Sequence, residues 1–97
     1  MNKKYIYRKI DSPNSVRLSG STSTIESLII TNVADESIKL SMYITRNNDK
    51  YYVSKQIEII PNESLDVFTN GYSYDPAYTF NISLQSGSAD ILLILSQ

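Results

Sequence analysis

Residues 38–44 read Ile-Lys-Leu-Ser-Met-Tyr-Ile, and residues 78–84 read Tyr-Thr-Phe-Asn-Ile-Ser-Leu. Apolar and polar side chains alternate along both segments. Successive side chains of a β-strand point to opposite faces, so this period of two places the apolar residues of each segment on one face. An α-helix would spread the same residues around its circumference. The pattern therefore predicts strands of a sheet with one buried face.

The rest of the chain carries further strand signals, which are separated by turn signals. Extended segments are predicted at residues 5–10 (an edge strand or an extended arm), 16–18, 25–32, 37–46, 51–54 followed by Ile57, Ile59 and Ile60, 65–69, 78–85 and 89–96. The connections contain Asn, Asp and Pro, which favour turns. No segment predicts a helix longer than one turn. We therefore predict an all-β fold, a single antiparallel β-sandwich or barrel-like domain of seven to eight strands. Its core is expected to contain Ile38, Leu40, Met42, Ile44, Phe80, Ile82, Leu84, Ile91 and Leu93.

Charge is distributed unevenly along the 97 residues, although the net charge is −1. Residues 1–17 carry five basic side chains against Asp11, whereas residues 18–97 carry four basic side chains against nine carboxylates. We therefore divide the chain into a basic, extended N-terminal arm (residues 1–17) and a β-sandwich domain (residues 18–97). The arm is interpreted either as docking onto an acidic neighbour, including another copy, or as a solvated, frayed end. Removal of residues 1–10 is expected to leave the domain folded.

Composition argues against several classes of function. The chain has no cysteine and no histidine, so it lacks thiolate metal sites, the usual general base and the commonest zinc ligand. It has no nucleophile elbow, phosphate-binding glycine loop or calcium-loop spacing. The carboxylates Asp35 and Glu36 lie in a predicted turn, where turn formation is their expected role. We therefore expect no enzymatic activity, catalytic residue, metal or cofactor.

Two further classes of partner are also disfavoured. Nucleic acid is not an expected partner, because the acidic body would repel phosphates. No apolar stretch of the sequence approaches the ~20 residues that cross a bilayer, and the first residues lack the apolar segment of a signal peptide. We therefore expect no membrane partner and synthesis in the cytoplasm.

The last predicted strand breaks the alternation. Residues 91–95 read Ile-Leu-Leu-Ile-Leu and are apolar on both faces, as are residues 28–30. A strand with one solvent-exposed face should carry polar residues at alternate positions. The second apolar face of this strand is therefore expected to be covered by another protein segment. Two covers remain open. One is the N-terminal arm, with Tyr5 and Tyr7 lying across the strand, and the other is a neighbouring subunit.

The chain has eight tyrosines and no tryptophan. Three interpretations remain open for them, namely cross-strand packing, a protein interface and stacking on sugar rings. Tyr72, Tyr74 and Tyr78 flank the longest predicted connection, whereas Tyr43, Tyr51 and Tyr52 are expected to meet across a hairpin. The candidate interface residues are Lys3, Lys4, Tyr5, Tyr7, Arg8, Lys9, Leu92, Ile94, Tyr72 and Tyr74.

From residue 24 onward the order of these signals is similar to a known family. Residues 24–32 read Thr-x-x-x-Leu-Ile-Ile-x-Asn, residues 51–53 read Tyr-Tyr-Val, residues 59–61 read Ile-Ile-Pro, and residues 90–96 read Asp-Ile-Leu-Leu-Ile-Leu-Ser. This order resembles small β-sandwich structural proteins of tailed bacteriophages. The glycine that commonly follows the proline in that family is replaced here by Asn62-Glu63.

The resemblance implies a non-enzymatic component of a virion, of the neck, tail or capsid-associated type, which acts through repeated subunit contacts. It implies a homo-oligomer (a trimer or ring), contacts with other virion proteins, and a location in a virion assembled in the host cytoplasm. The alternative function is a carbohydrate- or receptor-binding β-sandwich module that uses the tyrosine-rich loop. Self-association without ligand would favour the first function, and tyrosine-dependent glycan binding the second.

Overall fold

The computed structural model describes residues 3–18, 24–68 and 70–96. Within these ranges the chain forms nine β-strands and no helix. The strands are β1 (Lys3–Asp11), β2 (Ser15–Leu18), β3 (Thr24–Asn32), β4 (Ile38–Arg46), β5 (Asp49–Ile59), β6 (Ser64–Asp66), β7 (Tyr72–Ser73), β8 (Thr79–Leu84) and β9 (Ser88–Ser96). The predicted all-β class is confirmed. The strand not predicted is β7, which forms within a segment interpreted as a loop.

The strands form two antiparallel sheets that share one hydrophobic core. The first sheet has the order β1-β9-β3-β6, and β7 also pairs with β3. The second sheet has the order β2-β8-β4-β5. Buried side chains from both sheets belong to the same apolar cluster. This arrangement is consistent with the predicted β-sandwich.

The alternating segments supply the centre of the core, as their period predicts. Eight of the nine core residues predicted from sequence are buried, and Ile44 is half-buried against the same cluster. Phe80 and Ile82 of β8 and Met42 of β4 have no exposed surface. Full burial of one such side chain stabilises the fold by about 1.5–3 kcal/mol. The two segments that predicted the fold class therefore also provide much of its stability.

An extended N-terminal arm is not confirmed, because residues 3–11 and 15–18 are strands of the two sheets. All nine residues of β1 pair with β9, from Lys3↔Ser96 to Asp11↔Ser88. β2 pairs with β8 in the other sheet. The edge-strand alternative for residues 5–10 is therefore the one that the structure shows, and the basic residues are the reason why the sequence did not decide between strand and arm. Arg8 occupies the position between two core-facing residues of β1 and interrupts the apolar alternation.

A buried asparagine joins the two sheets at the end of β3. Asn32 Nδ2 donates hydrogen bonds to the carbonyl oxygens of Glu36 and Ile59, both at 2.9 Å. Its Oδ1 accepts a hydrogen bond from the backbone N–H of Ala34 at 2.7 Å. Because Ile59 ends β5, this side chain connects the first sheet to the edge strand of the second. The asparagine of the Leu-Ile-Ile-x-Asn pattern therefore has a structural role.

We expect deletion of residues 1–11 to abolish cooperative unfolding or to lower the free energy of unfolding by about 3 kcal/mol or more. This prediction replaces the expectation from sequence that the domain folds without residues 1–10. Ile6 and Ile10 are buried in the core, and each contributes about 1.5–3 kcal/mol on burial. The measurement is urea denaturation followed by circular dichroism. An unchanged urea midpoint in the truncated chain would restore the frayed-arm interpretation.

We also expect Asn32→Ala to lower the free energy of unfolding by about 2–4 kcal/mol, because it leaves buried backbone groups without partners. The control is Asn48→Ala, in the exposed turn between β4 and β5, which should change the free energy by less than about 0.5 kcal/mol. Equal urea midpoints for the two variants would show that the buried bonds of Asn32 contribute nothing.

Candidate protein interface

The two apolar faces of β9 have different environments. β9 is hydrogen-bonded along both edges, to β1 on one side and to β3 on the other. Ile91, Leu93 and Leu95 lie in the core with at most 1% of their surface exposed. Leu92 is 42% exposed and Ile94 is half-buried on the outside of the sheet. The second apolar face predicted for this strand therefore exists and faces outward.

The tyrosines of β1 lie beside β9 and do not lie across it, because strand pairing holds both backbones at the same level. Tyr5 is the partner of Ile94 and Tyr7 is the partner of Leu92. On the other side of β9, Ile29 of β3 is also the partner of Leu92. Paired residues project from the same face of a sheet. We call these five residues, Tyr5, Tyr7, Ile29, Leu92 and Ile94, the outer-face patch.

The outer-face patch remains largely open to solvent in the single chain. Tyr5 is 57% exposed and Tyr7 is 65% exposed. Ile29 was not selected from the sequence as a candidate interface residue. The signal that could have identified it is the run of three apolar residues at positions 28–30, which makes both faces of that strand apolar. In the structure, β1 lies beside β9 and does not cover its outer face. The interpretation that a neighbouring subunit covers this face stays open.

A bulge in β3 places a carboxylate at one end of the outer-face patch. The register shifts between Ile25 and Ser27, so Glu26 is the additional residue of a β-bulge. Its Oε1 lies 3.2 Å from Lys3 Nζ, and its other carboxylate oxygen accepts a hydrogen bond from the Ser96 hydroxyl. The hydrogen bonds from Ser96 and Lys3 hold the pKa of Glu26 below its ordinary value.

Two further polar pairs lie at the other end of the outer-face patch. Lys9 Nζ lies 3.2 Å from Asp90 Oδ1, and the hydroxyls of Thr31 and Ser64 are 2.6 Å apart. An apolar centre with a polar rim is the usual anatomy of a protein interface. The outer-face patch and its two polar ends therefore have the composition of a docking surface.

The basic residues that the sequence grouped together fall on different faces of β1. Lys3 and Lys9 lie on the outer face, where each forms an ion pair within the chain. Lys4 and Arg8 lie on the opposite face of β1, which they share with the buried residues Ile6 and Ile10. Both are exposed at the edge of the sheet. The structure therefore separates the four cations into two pairs with different surroundings.

The loop tyrosines face the core. Tyr74 is 7% exposed, and its ring centroid lies 5.7 Å from that of Phe80. Tyr72 is half-buried and stacks on Phe68 with ring centroids 4.9 Å apart. Burial raises the pKa of the Tyr74 hydroxyl, and the neighbouring Tyr72 adds to this. These two side chains are not displayed as a surface for stacking on sugar rings.

The predicted hairpin tyrosines meet on the outside of the second sheet. Tyr43 and Tyr52 are cross-strand partners, with ring centroids 5.7 Å apart in an edge-on arrangement. Lys50 Nζ lies 4.3 Å from the centroid of the Tyr43 ring, within the range of a cation–π interaction. Cross-strand packing is therefore confirmed for this pair. Tyr51 is instead the cross-strand partner of Ile44, and its ring centroid lies 6.2 Å from that of Tyr78.

No family model matches the chain, and a search of curated proteins finds no matching relative. Across residues 3–18, 24–68 and 70–96, no group of three or more acidic, histidine or cysteine side chains is placed to hold a metal ion. The same part of the chain contains no helix that is long and apolar enough to span a membrane.

We expect Tyr74→Phe to leave the free energy of unfolding unchanged or to raise it by up to about 1 kcal/mol, because the buried hydroxyl has no hydrogen-bond partner among the described residues. Tyr74→Ala should lower it by about 3–5 kcal/mol through lost packing. Urea denaturation measures both. A loss of more than about 1 kcal/mol in Tyr74→Phe would mean that the hydroxyl is bonded in solution.

The raised pKa of Tyr74 also has a consequence for pH dependence. The unfolded chain ionises this phenol near pH 10, and the folded chain ionises it at higher pH. The resulting stabilisation is complete below the unfolded pKa and is lost as pH rises through the folded pKa. Tyr74→Phe should therefore show a shallower loss of stability above pH 10.

Proposed function

We propose that this protein is a non-enzymatic structural subunit that associates with further copies of itself through the outer-face patch. The observation that supports the proposal is the set of five apolar side chains in adjacent register positions on an open sheet face. Contiguous apolar surface with a polar rim marks an interaction site in soluble proteins. Burial of a side chain such as Leu92 would contribute about 1.5–3 kcal/mol to association.

Charge supports a second copy as the partner. The lysines at the two ends of the patch, Lys3 and Lys9, are each neutralised by a carboxylate of the same chain. Two identical faces can therefore approach without like-charge repulsion, which is the requirement of an isologous contact. A two-fold dimer uses the patch on both subunits, whereas a trimer or ring uses it against a different surface of the next subunit.

The resemblance to structural proteins of tailed bacteriophages is the basis for the proposed location in a virion. It rests on the order of motifs between residues 24 and 96 and on a β-sandwich fold. In this setting the subunit belongs to the neck, the tail or the capsid surface of a virion assembled in the host cytoplasm. Other virion proteins are its further partners, and its mechanism is adhesion rather than catalysis.

We expect Leu92→Asp to abolish self-association while the chain stays folded. A carboxylate at this position would lose its solvation in the contact without gaining a partner. Sedimentation equilibrium over a range of protein concentrations measures the effect, and the urea midpoint verifies folding. Ile94→Asp provides a second variant with the same expected result.

The matched control is Ile60→Asp, which replaces an exposed isoleucine (55% exposed) outside the strands. This variant should associate like the natural chain. A natural chain that stays monomeric at about 1 mM, which corresponds to less than about 4 kcal/mol of association, would overturn the proposal. Equal loss of association in Ile60→Asp would show that added charge, and not the patch, is responsible.

A further inference from the structure

A cleft lies where the two sheets leave one side of the molecule open. β1 is the outermost strand of the first sheet and β2 is the outermost strand of the second. They follow each other in the chain but belong to different sheets. The space between them is a cleft of about 360 Å³.

The floor of the cleft is apolar and incompletely covered. It is formed by Ile6 and Ile10 of β1 and by Val16 and Leu18 of β2. Each of these side chains keeps 7–9% of its surface exposed, whereas Ile91 in the centre of the sheet keeps 0%. A small part of each of these core side chains therefore reaches the cleft.

The rim of the cleft is basic. Lys4, Arg8 and Arg17 line it, no carboxylate lines it, and in the described part of the chain none of the three forms an ion pair. Arg8 Nη1 donates one hydrogen bond to the carbonyl oxygen of Tyr7 at 3.1 Å, which leaves its other donors available. Cations of one sign beside an apolar wall raise the local concentration of anionic groups.

The spacing along β1 specifies the shape of a complementary ligand. Lys4, Ile6, Arg8 and Ile10 alternate cation and apolar residue on one face of the strand, at intervals of about 6.5 Å. An edge strand also presents unpaired backbone N–H and C=O groups. A strand added beside β1 would place its side chains opposite these four residues. A ligand strand that complements β1 therefore alternates carboxylates and apolar residues at every second position, so that a carboxylate lies opposite each cation and an apolar residue opposite each isoleucine.

We propose that this cleft binds an extended acidic segment of another protein, which adds to the first sheet as a new strand beside β1. Backbone hydrogen bonds provide most of the affinity, as in other cases of strand addition, and the rim cations select carboxylates, while the small exposed part of the apolar floor contributes little. A second copy of this chain is not the source, because no two of its carboxylates are four residues apart. The proposal uses the face of β1 opposite the outer-face patch and does not depend on self-association.

The probe is the blocked peptide acetyl-Thr-Glu-Thr-Val-Thr-Glu-Thr-Val-Thr-amide, titrated into the full chain by isothermal calorimetry. We expect saturable binding that weakens at least tenfold when both glutamates of the peptide are replaced by lysine. We expect Arg8→Glu to weaken it at least tenfold and Arg8→Gln about threefold. The control Lys39→Glu, at an exposed cation on the second sheet, should change affinity less than twofold. Equal urea midpoints would establish that these variants are folded.

A backbone-modified peptide tests strand addition directly. N-methylation at every second residue blocks one hydrogen-bonding edge of an extended peptide. We expect the peptide methylated on one edge to lose binding at least tenfold and the peptide methylated on the other edge to keep it. Amide hydrogen exchange in β1 should slow at alternate residues when the unmodified peptide is bound.

Three results would overturn binding of an acidic segment in the cleft. The first is absence of saturable binding, and the second is equal binding of the lysine peptide. The third is binding of decanoate without binding of the peptide, which would assign the cleft to an anionic lipid. Retained binding by both methylated peptides would overturn strand addition. Failure of the Leu92→Asp experiment would leave this inference intact, because Leu92 lies on the opposite face of the sheet.

Discussion

The pairing of β9 along both of its edges is the constraint on which the rest of the structure depends. With β1 on one side and β3 on the other, β9 cannot rotate or shift without loss of two hydrogen-bonded ladders. A shift by one residue would exchange its two faces. Since Ile91 and Leu93 complete the core, the alternate side chains Leu92 and Ile94 must face outward. The outer-face patch is thus a consequence of the same pairing that forms the core.

The alternation of β1 gives this strand two separate surfaces. Tyr5 and Tyr7 project beside β9 on the outer face, whereas Lys4 and Arg8 project at the open side between the sheets. Exposed basic side chains on an edge strand also oppose uncontrolled pairing with other chains. The basic side chains of the first residues therefore belong to an edge strand of the sheet, where their charge disfavours pairing with another copy of the same strand.

The places where sequence and structure differ share a physical cause. Arg8 interrupts the apolar pattern of β1, so the sequence left open whether this segment is an edge strand or an arm. Tyr72 and Tyr74 lie among turn residues, so the sequence indicated an exposed loop where the aromatic rings extend the core. In each case the local composition is polar, and the burial comes from strands that are distant in the chain. Short-range patterns carry no information about such neighbours.

The sequence by itself determined the all-β class, most of the core and the presence of a strand with two apolar faces, because a period of two is a local property of consecutive side chains. The tertiary structure alone decided which strands are neighbours, and hence which residues form a surface. Lys9 meets Asp90 across 81 positions of sequence, and Tyr7 meets Leu92 in the same ladder. Such contacts depend on strand order and register, which are set by the packing of the whole chain around one core.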